Sequence, residues 1–242
     1  MNRQNFPFDI NCDLGEGLSN DELLMPYLES CNIACGGHAG NDQTIKETIR
    51  LAKKHQVKIG AHPSYPDLPN FGRLKMDITL ELLKRSLSSQ LTLFQNLVKA
   101  QNTKIHHIKL HGALYNFSAA DLLTASMILD VVEDQFTGSN LYCPPKSLIL
   151  QLAEERGIPI KREVFADRNY NDDGSLVSRT ESNAVITDPD KVLEHVKSMV
   201  EQAKIRTVTG NTISVQADTI CIHGDNPNAL EILKNIYKYF NL

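Results

Sequence analysis

The sequence has no block of like charge: 25 Lys and Arg and 29 Asp and Glu, a net charge of −4, are scattered along 242 residues. This excludes a nucleic-acid arm and a basic membrane-binding face, and leaves a small molecule as the natural ligand. No apolar run approaches the roughly 18 residues of a membrane span. The start, MNRQNFPFDIN, also lacks the basic-then-apolar layout of a secretory leader, so the expected location is the cytoplasm. Cysteine is scarce: Cys12, Cys31, Cys35, Cys143 and Cys221 form an odd set without CxxC spacing. That argues against a disulfide framework and a zinc knuckle and leaves reduced thiols. Cys35, just before Gly36, Gly37 and His38, is the one with a conspicuous setting, but no activating partner is in view. Linkers, low-complexity segments and repeats longer than one βα unit are absent too. With 41% hydrophobic and 22% charged residues, the chain reads as one globular domain over residues 1–242.

What is present is a rhythm. Short apolar runs are each followed by turn residues and a helix-period stretch, the alternation of a parallel sheet with crossover helices. The runs place strands at 7–11, 31–35, 57–61, 107–111, 141–143, 161–165 and 219–223. Helices fit 21–29, 44–54, 79–100, 119–133, 146–155, 190–203 and 228–240. Ser19 and Glu22 stand at capping-box spacing before the first helix. Leu83, Leu87, Leu91, Phe94 and Val98 form the apolar stripe of the third. RTVTGNTISV reads as a hairpin turning at Gly210 and Asn211, inserted before the last strand. The alternation suits a closed barrel or an open doubly wound sheet, and periodicity does not separate them.

Unusual polar residues collect where the strands end. The first strand leads into Asp9, Asn11, Asp13 and Glu16; the second into His38; the third into His62 and Arg73. The fourth carries Lys109 and His111, the sixth Glu163, Asp167 and Arg168, the seventh His223 and Asp225. Any one strand-end histidine is most simply a turn or core residue. Four of them from four strands have one meeting place, because α/β barrels assemble their sites at the C-terminal strand ends. Asp9, Asn11 and Asp13 alternate and so share one face of an extended segment. They are not an EF-hand loop, since Leu14 and Asn20 stand where Gly and Glu are needed. Gly15 and Gly17 lack the third glycine of a dinucleotide loop, and no GxxxxGK[ST] occurs. His107 and His111 would lie roughly 13 Å apart on a strand, too far for one metal. Lys109, inside the apolar run IKLHG, calls for an anion.

The blocks DINCDLGEG, NIACGGHAGND, IGAHPSYPDLPNFGR, KLHGALYN, EVFADRNYNDDGSLVSR and ICIHGDNP, in this order, resemble the LamB/YcsF family of 5-oxoprolinase A subunits. The resemblance runs nearly end to end. It implies a seven-stranded β/α (TIM-like) barrel of the glycoside hydrolase/deacetylase type. It further implies cleavage of 5-oxoproline (pyroglutamate) to L-glutamate coupled to hydrolysis of ATP to ADP and phosphate, with magnesium accompanying the nucleotide, in a complex with B and C subunits. For that reaction Lys109, Arg73, Arg168, Arg179 and Asn11 would hold substrate carboxylate and phosphate oxygens. His38, His62, His111 and His223 would move protons, with Asp13, Glu16 and Asp167 as bases, orienters or metal ligands. Gly37 departs from a usual aromatic, Asn41 from an acid and Leu110 from a common proline. The rival expectations are a metal-dependent deacetylase or carbohydrate hydrolase acting alone, and a non-catalytic subunit that captures substrate for a partner.

Overall fold

A computed structural model describes residues 7–242, so the first six residues of the stretch read as lacking a leader layout lie outside the described residues. Parallel strands β1 (Asp9–Leu14), β2 (Ser30–Ala34), β3 (Lys58–His62), β4 (His107–Lys109), β5 (Asn140–Cys143) and β6 (Ile160–Phe165) follow in order. A hairpin of β7 (Lys204–Arg206) and β8 (Thr212–Ser214) stands apart, and β9 (Thr219–His223) then pairs with both β6 and β1. The result is a closed seven-stranded barrel, which removes the open sheet. The helices are α1 (Asp21–Leu24), α2 (Asp42–His55), α3 (Leu80–Ala100), α4 (Gly112–Ser118), α5 (Leu122–Gln135), α6 (Leu148–Glu155), α7 (Pro189–Gln202) and α8 (Ala229–Phe240). Among the described residues, no helix is long and apolar enough to cross a membrane.

The apolar core lies between barrel and helices. Outward residues such as Ile10, Ile33, Ile108, Val164 and Ile220 are buried against Leu24, Ile49, Leu87, Phe94 and Ile232. The whole expected stripe of α3 is buried, and burial of each such side chain contributes about 1.5–3 kcal/mol. The expected hairpin forms, with Gly210 N donating to Thr207 O at 3.0 Å across the turn.

Several boundaries differ from the sequence reading. The first strand runs over Asp9–Leu14 rather than 7–11, so its acids lie within the barrel wall. The helix expected at 21–29 is cut to α1 followed by a 3-10 turn, Met25–Tyr27, because Pro26 has no N–H to continue an α-helix. The Ser19 and Glu22 box does not form: Asn20 occupies the cap position, and its Nδ2 donates to Gly224 O at 2.8 Å. A capping box forms at α2 instead, between Asn41 and Thr44. The fourth strand ends at Lys109, since His111 N turns aside to donate to Pro63 O at 2.9 Å and opens α4. The helix expected at 119–133 is α5, started at Leu122 by the Asp121 side chain accepting from Thr124 N at 2.8 Å.

The barrel interior is polar and arranged in layers. Near the base, Asp9 accepts from Ser30, Tyr142 and Thr219. One layer up, Asn11 Nδ2 donates to Glu163 Oε1 at 2.9 Å and Thr219 Oγ1 at 2.7 Å. In the same layer Asn32 Nδ2 donates to Asn11 Oδ1 and His107 Nε2 lies 2.7 Å from Asn32 Oδ1. A buried polar group without a partner costs about 1–3 kcal/mol, so this stack is tolerable because its members largely satisfy one another, with Glu163 Oε2 left without a hydrogen-bond partner among the described residues. The top layer, Asp13, His62 and Lys109, opens upward.

Candidate active site

A cavity of about 580 Å³ sits over the C-terminal strand ends. Its floor is Lys109, Asp13 and Glu163; its walls come from the start of α4 and the loop between β6 and α7; Arg73, Arg179 and Asp225 form its rim.

Lys109 is buried at 1% exposure, and its Nζ donates to Asp13 Oδ1 at 2.8 Å, with Glu163 Oε1 at 3.2 Å and Cys221 Sγ at 3.0 Å. Burial opposes the charge, yet Asp13 foremost and Glu163 further off raise the Lys109 ammonium well above its ordinary value. Burial likewise opposes the Asp13 carboxylate, but His62 and Lys109 hold it well below its usual range. Glu163 goes the other way: burial pushes it up, with Lys109 only partly compensating. The floor is thus an ion pair with a second, more basic carboxyl beside it.

Next to this pair three imidazoles and a carboxylate converge. His62 Nδ1 lies 2.8 Å from Lys109 O and His111 Nε2 lies 2.9 Å from Phe71 O, and a carbonyl can only accept. Both rings therefore carry a proton on the outer nitrogen, while His62 Nε2 faces His111 Nδ1 at 3.0 Å and Asp13 Oδ2 at 3.4 Å. His38 lies face to face with His111 at 3.6 Å between centroids, and its Nε2 is 3.1 Å from Glu16 Oε1. Glu16 Oε1 is also 3.6 Å from His111 Nδ1. Burial lowers His38, and lowers His111 well below the usual imidazole range. Gly72 makes the approach possible: it has φ of +62°, and a Cβ there would sit 2.9 Å from His38 Cβ and 3.1 Å from His111 Cδ2. At Gly37 a Cβ would come within 2.5 Å of Gln90 Oε1 and Ser64 Oγ, so an aromatic is excluded with Gln90 in this position.

On the opposite wall His223 Nδ1 lies 2.8 Å from Asp167 Oδ1. Asp167 also accepts from His223 N at 3.2 Å and Asn226 Nδ2 at 3.0 Å. Despite burial, these contacts with His223 and Asn226 hold Asp167 below its usual value. The carboxylate fixes the His223 tautomer and leaves Nε2 as the ring's acceptor. At the rim Asp225 takes both Arg73 and Arg179, the latter at 3.1 Å, tying together three loops.

Of the residues singled out from sequence, Asp13, Glu16, His62, Lys109, His111, His223, Arg73, Arg168 and Arg179 line the cavity. His38 and Asp167 lie behind it, each held against a lining residue. Asn11 does not reach it: the amide is engaged one layer down, so its expected substrate contact is corrected to a structural role. Arg168 reaches the wall, but its Nε donates to Ala184 O at 3.1 Å and Nη2 to Val177 O at 2.5 Å, and burial pulls it down to about 10. It props the β6–α7 loop. Cys35 is buried and its thiol is pushed up to about 12, so it is no nucleophile. Sequence reasoning gave Glu163 no role, although its alternation with Phe165 on β6 was the available signal. It missed Asn32 altogether, a polar residue inside an apolar run.

The LamB/YcsF family model matches residues 8–241. The 5-oxoprolinase A subunit of Staphylococcus aureus (strain bovine RF122 / ET3-1) is 43% identical over 233 residues, covering 94% of this chain and 93% of the relative. Its counterpart from Pyrococcus abyssi (strain GE5 / Orsay) is 41% identical over 235 residues, covering 95% and 92%. In structure, a lactam utilization protein from Thermus thermophilus superposes with a TM-score of 0.89 at 33% identity, covering 97% of both chains.

Proposed function

Because the chain belongs to the LamB/YcsF family, we propose that it is the A component of an ATP-dependent 5-oxoprolinase working with B and C subunits in the cytoplasm. It opens 5-oxoproline to L-glutamate as ATP goes to ADP and phosphate. The observation that carries this reading is the charge layout of the cavity: Lys109 held cationic at the floor, Arg73 and Arg179 at the rim, and about 580 Å³ between them. 5-Oxoproline offers a lactam oxygen to the floor and a carboxylate to the rim. The volume exceeds what that small acid fills and leaves room for a phosphate beside it.

A five-membered lactam is a stable amide. Transfer of the γ-phosphoryl group of ATP to its oxygen makes the ring carbon an electrophile that water attacks; the ring nitrogen leaves once protonated, and a second water cleaves the resulting γ-glutamyl phosphate to glutamate and phosphate. In this reading Lys109 faces the oxygen on which negative charge grows, in a site where a fixed cation acts strongly. His223, its Nδ1–H given to Asp167, uses Nε2 to take the proton from water. Glu163, made more basic by burial, is the proton donor on the floor. Magnesium would come with the nucleotide and neutralise phosphate charge, because the nitrogen-rich group of Glu16, His38, His62 and His111 does not suit an ion that prefers six oxygens.

The test is glutamate and ADP formation from 5-oxoproline and ATP, with the chain alone and with B and C added. Activity only in the mixture is expected. Acetate release from an acetylated sugar without ATP would replace this reading with a deacetylase. Bound 5-oxoproline without turnover in the mixture would make the chain a substrate-capturing protein.

A further inference from the structure

His62 Nε2 and His111 Nδ1 face each other at 3.0 Å, and His62 Nε2 also lies 3.4 Å from Asp13 Oδ2. Each ring turns its other nitrogen to a backbone carbonyl, Lys109 O or Phe71 O, so both inner nitrogens are aimed at one point beside two carboxylates. A cation at that point takes both inner nitrogens at once. Holding the outer N–H on a backbone carbonyl is also how metal-ligating histidines are oriented. Glu16 supplies the anion: its Oε1 is 3.1 Å from His38 Nε2 and 3.6 Å from His111 Nδ1. Without a cation Glu16 keeps the His38 proton on Nε2; Nδ1, buried without a partner among the described residues, is the position that takes the proton when Nε2 turns to a cation.

We propose that Glu16, His38, His62 and His111 form a binding site for one borderline divalent cation of the zinc or cobalt(II) type. The four ligand atoms lie within 4.8 Å of one another, and the closest separations, 3.0, 3.1 and 3.6 Å, bracket the edge of about 3.3 Å that tetrahedral bonds of roughly 2.0–2.1 Å produce. Three imidazoles and one carboxylate select zinc, cobalt or nickel over magnesium and calcium. Among the described residues this is the one such cluster. Glu16, His62 and His111 line the cavity while His38 closes the rear, so the ligand that the ion would attract from the cavity is an anionic or carbonyl oxygen. Metal uptake is read without turnover and stands apart from the ring-opening reading.

The experiment uses the tag-free full chain, stripped with a chelator and titrated with Co²⁺ by visible absorption and with Zn²⁺ by calorimetry, Mg²⁺ serving as the control ion. One equivalent of each transition metal is expected to bind at micromolar concentration or below, with Mg²⁺ at least 100-fold weaker. His111→Gln and Glu16→Gln should each weaken Co²⁺ binding at least tenfold, and His55→Gln, on the last turn of α2, should not. X-ray absorption of the zinc-loaded wild type should show imidazole ligation, a readout independent of how the variants fold. Failure of the wild type to take up Co²⁺ and Zn²⁺, uptake that survives both substitutions, or zinc without imidazole neighbours would overturn the site.

Discussion

Lys109 Nζ and Asp13 Oδ1 lie 2.8 Å apart at the bottom of the cavity, both residues at most 5% exposed. A buried pair of this kind is more costly to break than to delete, because the partner left behind is an unpaired charge. Lys109→Met should therefore lower stability by roughly 3–5 kcal/mol, and the double variant with Asp13→Asn should recover part of that loss. Urea unfolding of the two variants checks it. With Asp13→Asn measured alone to close the cycle, a double-variant loss equal to the sum of the two single losses would mean the pair is not coupled.

Acid sensitivity should follow His195. It is buried on α7 with Nδ1 3.1 Å from Ala166 O, and burial pulls it down to about 4. Its folded value lies below the unfolded one, so its contribution is complete above about 6.5 and is lost as pH falls toward 4, where the unfolded chain binds the extra proton. The full span is worth about 3 kcal/mol. Stability measured from pH 7 to 4 should fall less steeply in His195→Gln than in the wild type; parallel curves would remove His195 from the account.

The thiols should be silent. All five cysteines are buried and unpaired, and burial raises Cys31 above the ordinary thiol range as it does Cys35. Thiol titration of the native chain should register almost none of them and all five after denaturation. Cys221→Ser should keep turnover within a few-fold, since Cys221 touches Lys109 without holding its charge alone. Rapid native labelling with loss of activity would point to a nucleophile.

Asp225 should act on substrate capture. Removing it frees Arg73 and Arg179 from their common partner while leaving the floor intact. Asp225→Asn is expected to change KM for 5-oxoproline several-fold in the assembled enzyme, with a smaller change in kcat. A kcat loss at constant KM would place the residue in the chemical step instead.

The order of parallel strands and helices and the cluster of strand-end residues were legible in the sequence because βα alternation and strand-end polarity are local patterns, whereas closure into a barrel followed only from the family resemblance. What was not legible came from tertiary pairing. Asn11 read as a polar residue in search of a ligand, and instead it is satisfied by Asn32, which in turn meets His107, across three strands inside the barrel. That same pairing let β1 run past the acids at which a hydrophobicity reading stopped. The roles of His62 and His111 depend on carbonyls of Lys109 and Phe71, which no spacing in the chain announces. Pro26 and Asp121, by contrast, were readable signals whose effect on the first helix and on α5 went unused.

The central claim is that ring opening takes place in the cavity of this chain, with Asp13 holding Lys109 in position. Asp13→Asn keeps the side-chain shape and removes the charge, and circular dichroism establishes that the variant is folded. Glutamate formation from 5-oxoproline and ATP, measured with B and C subunits present, should fall at least about 100-fold. A folded Asp13→Asn chain that supports turnover at the wild-type rate would contradict the claim.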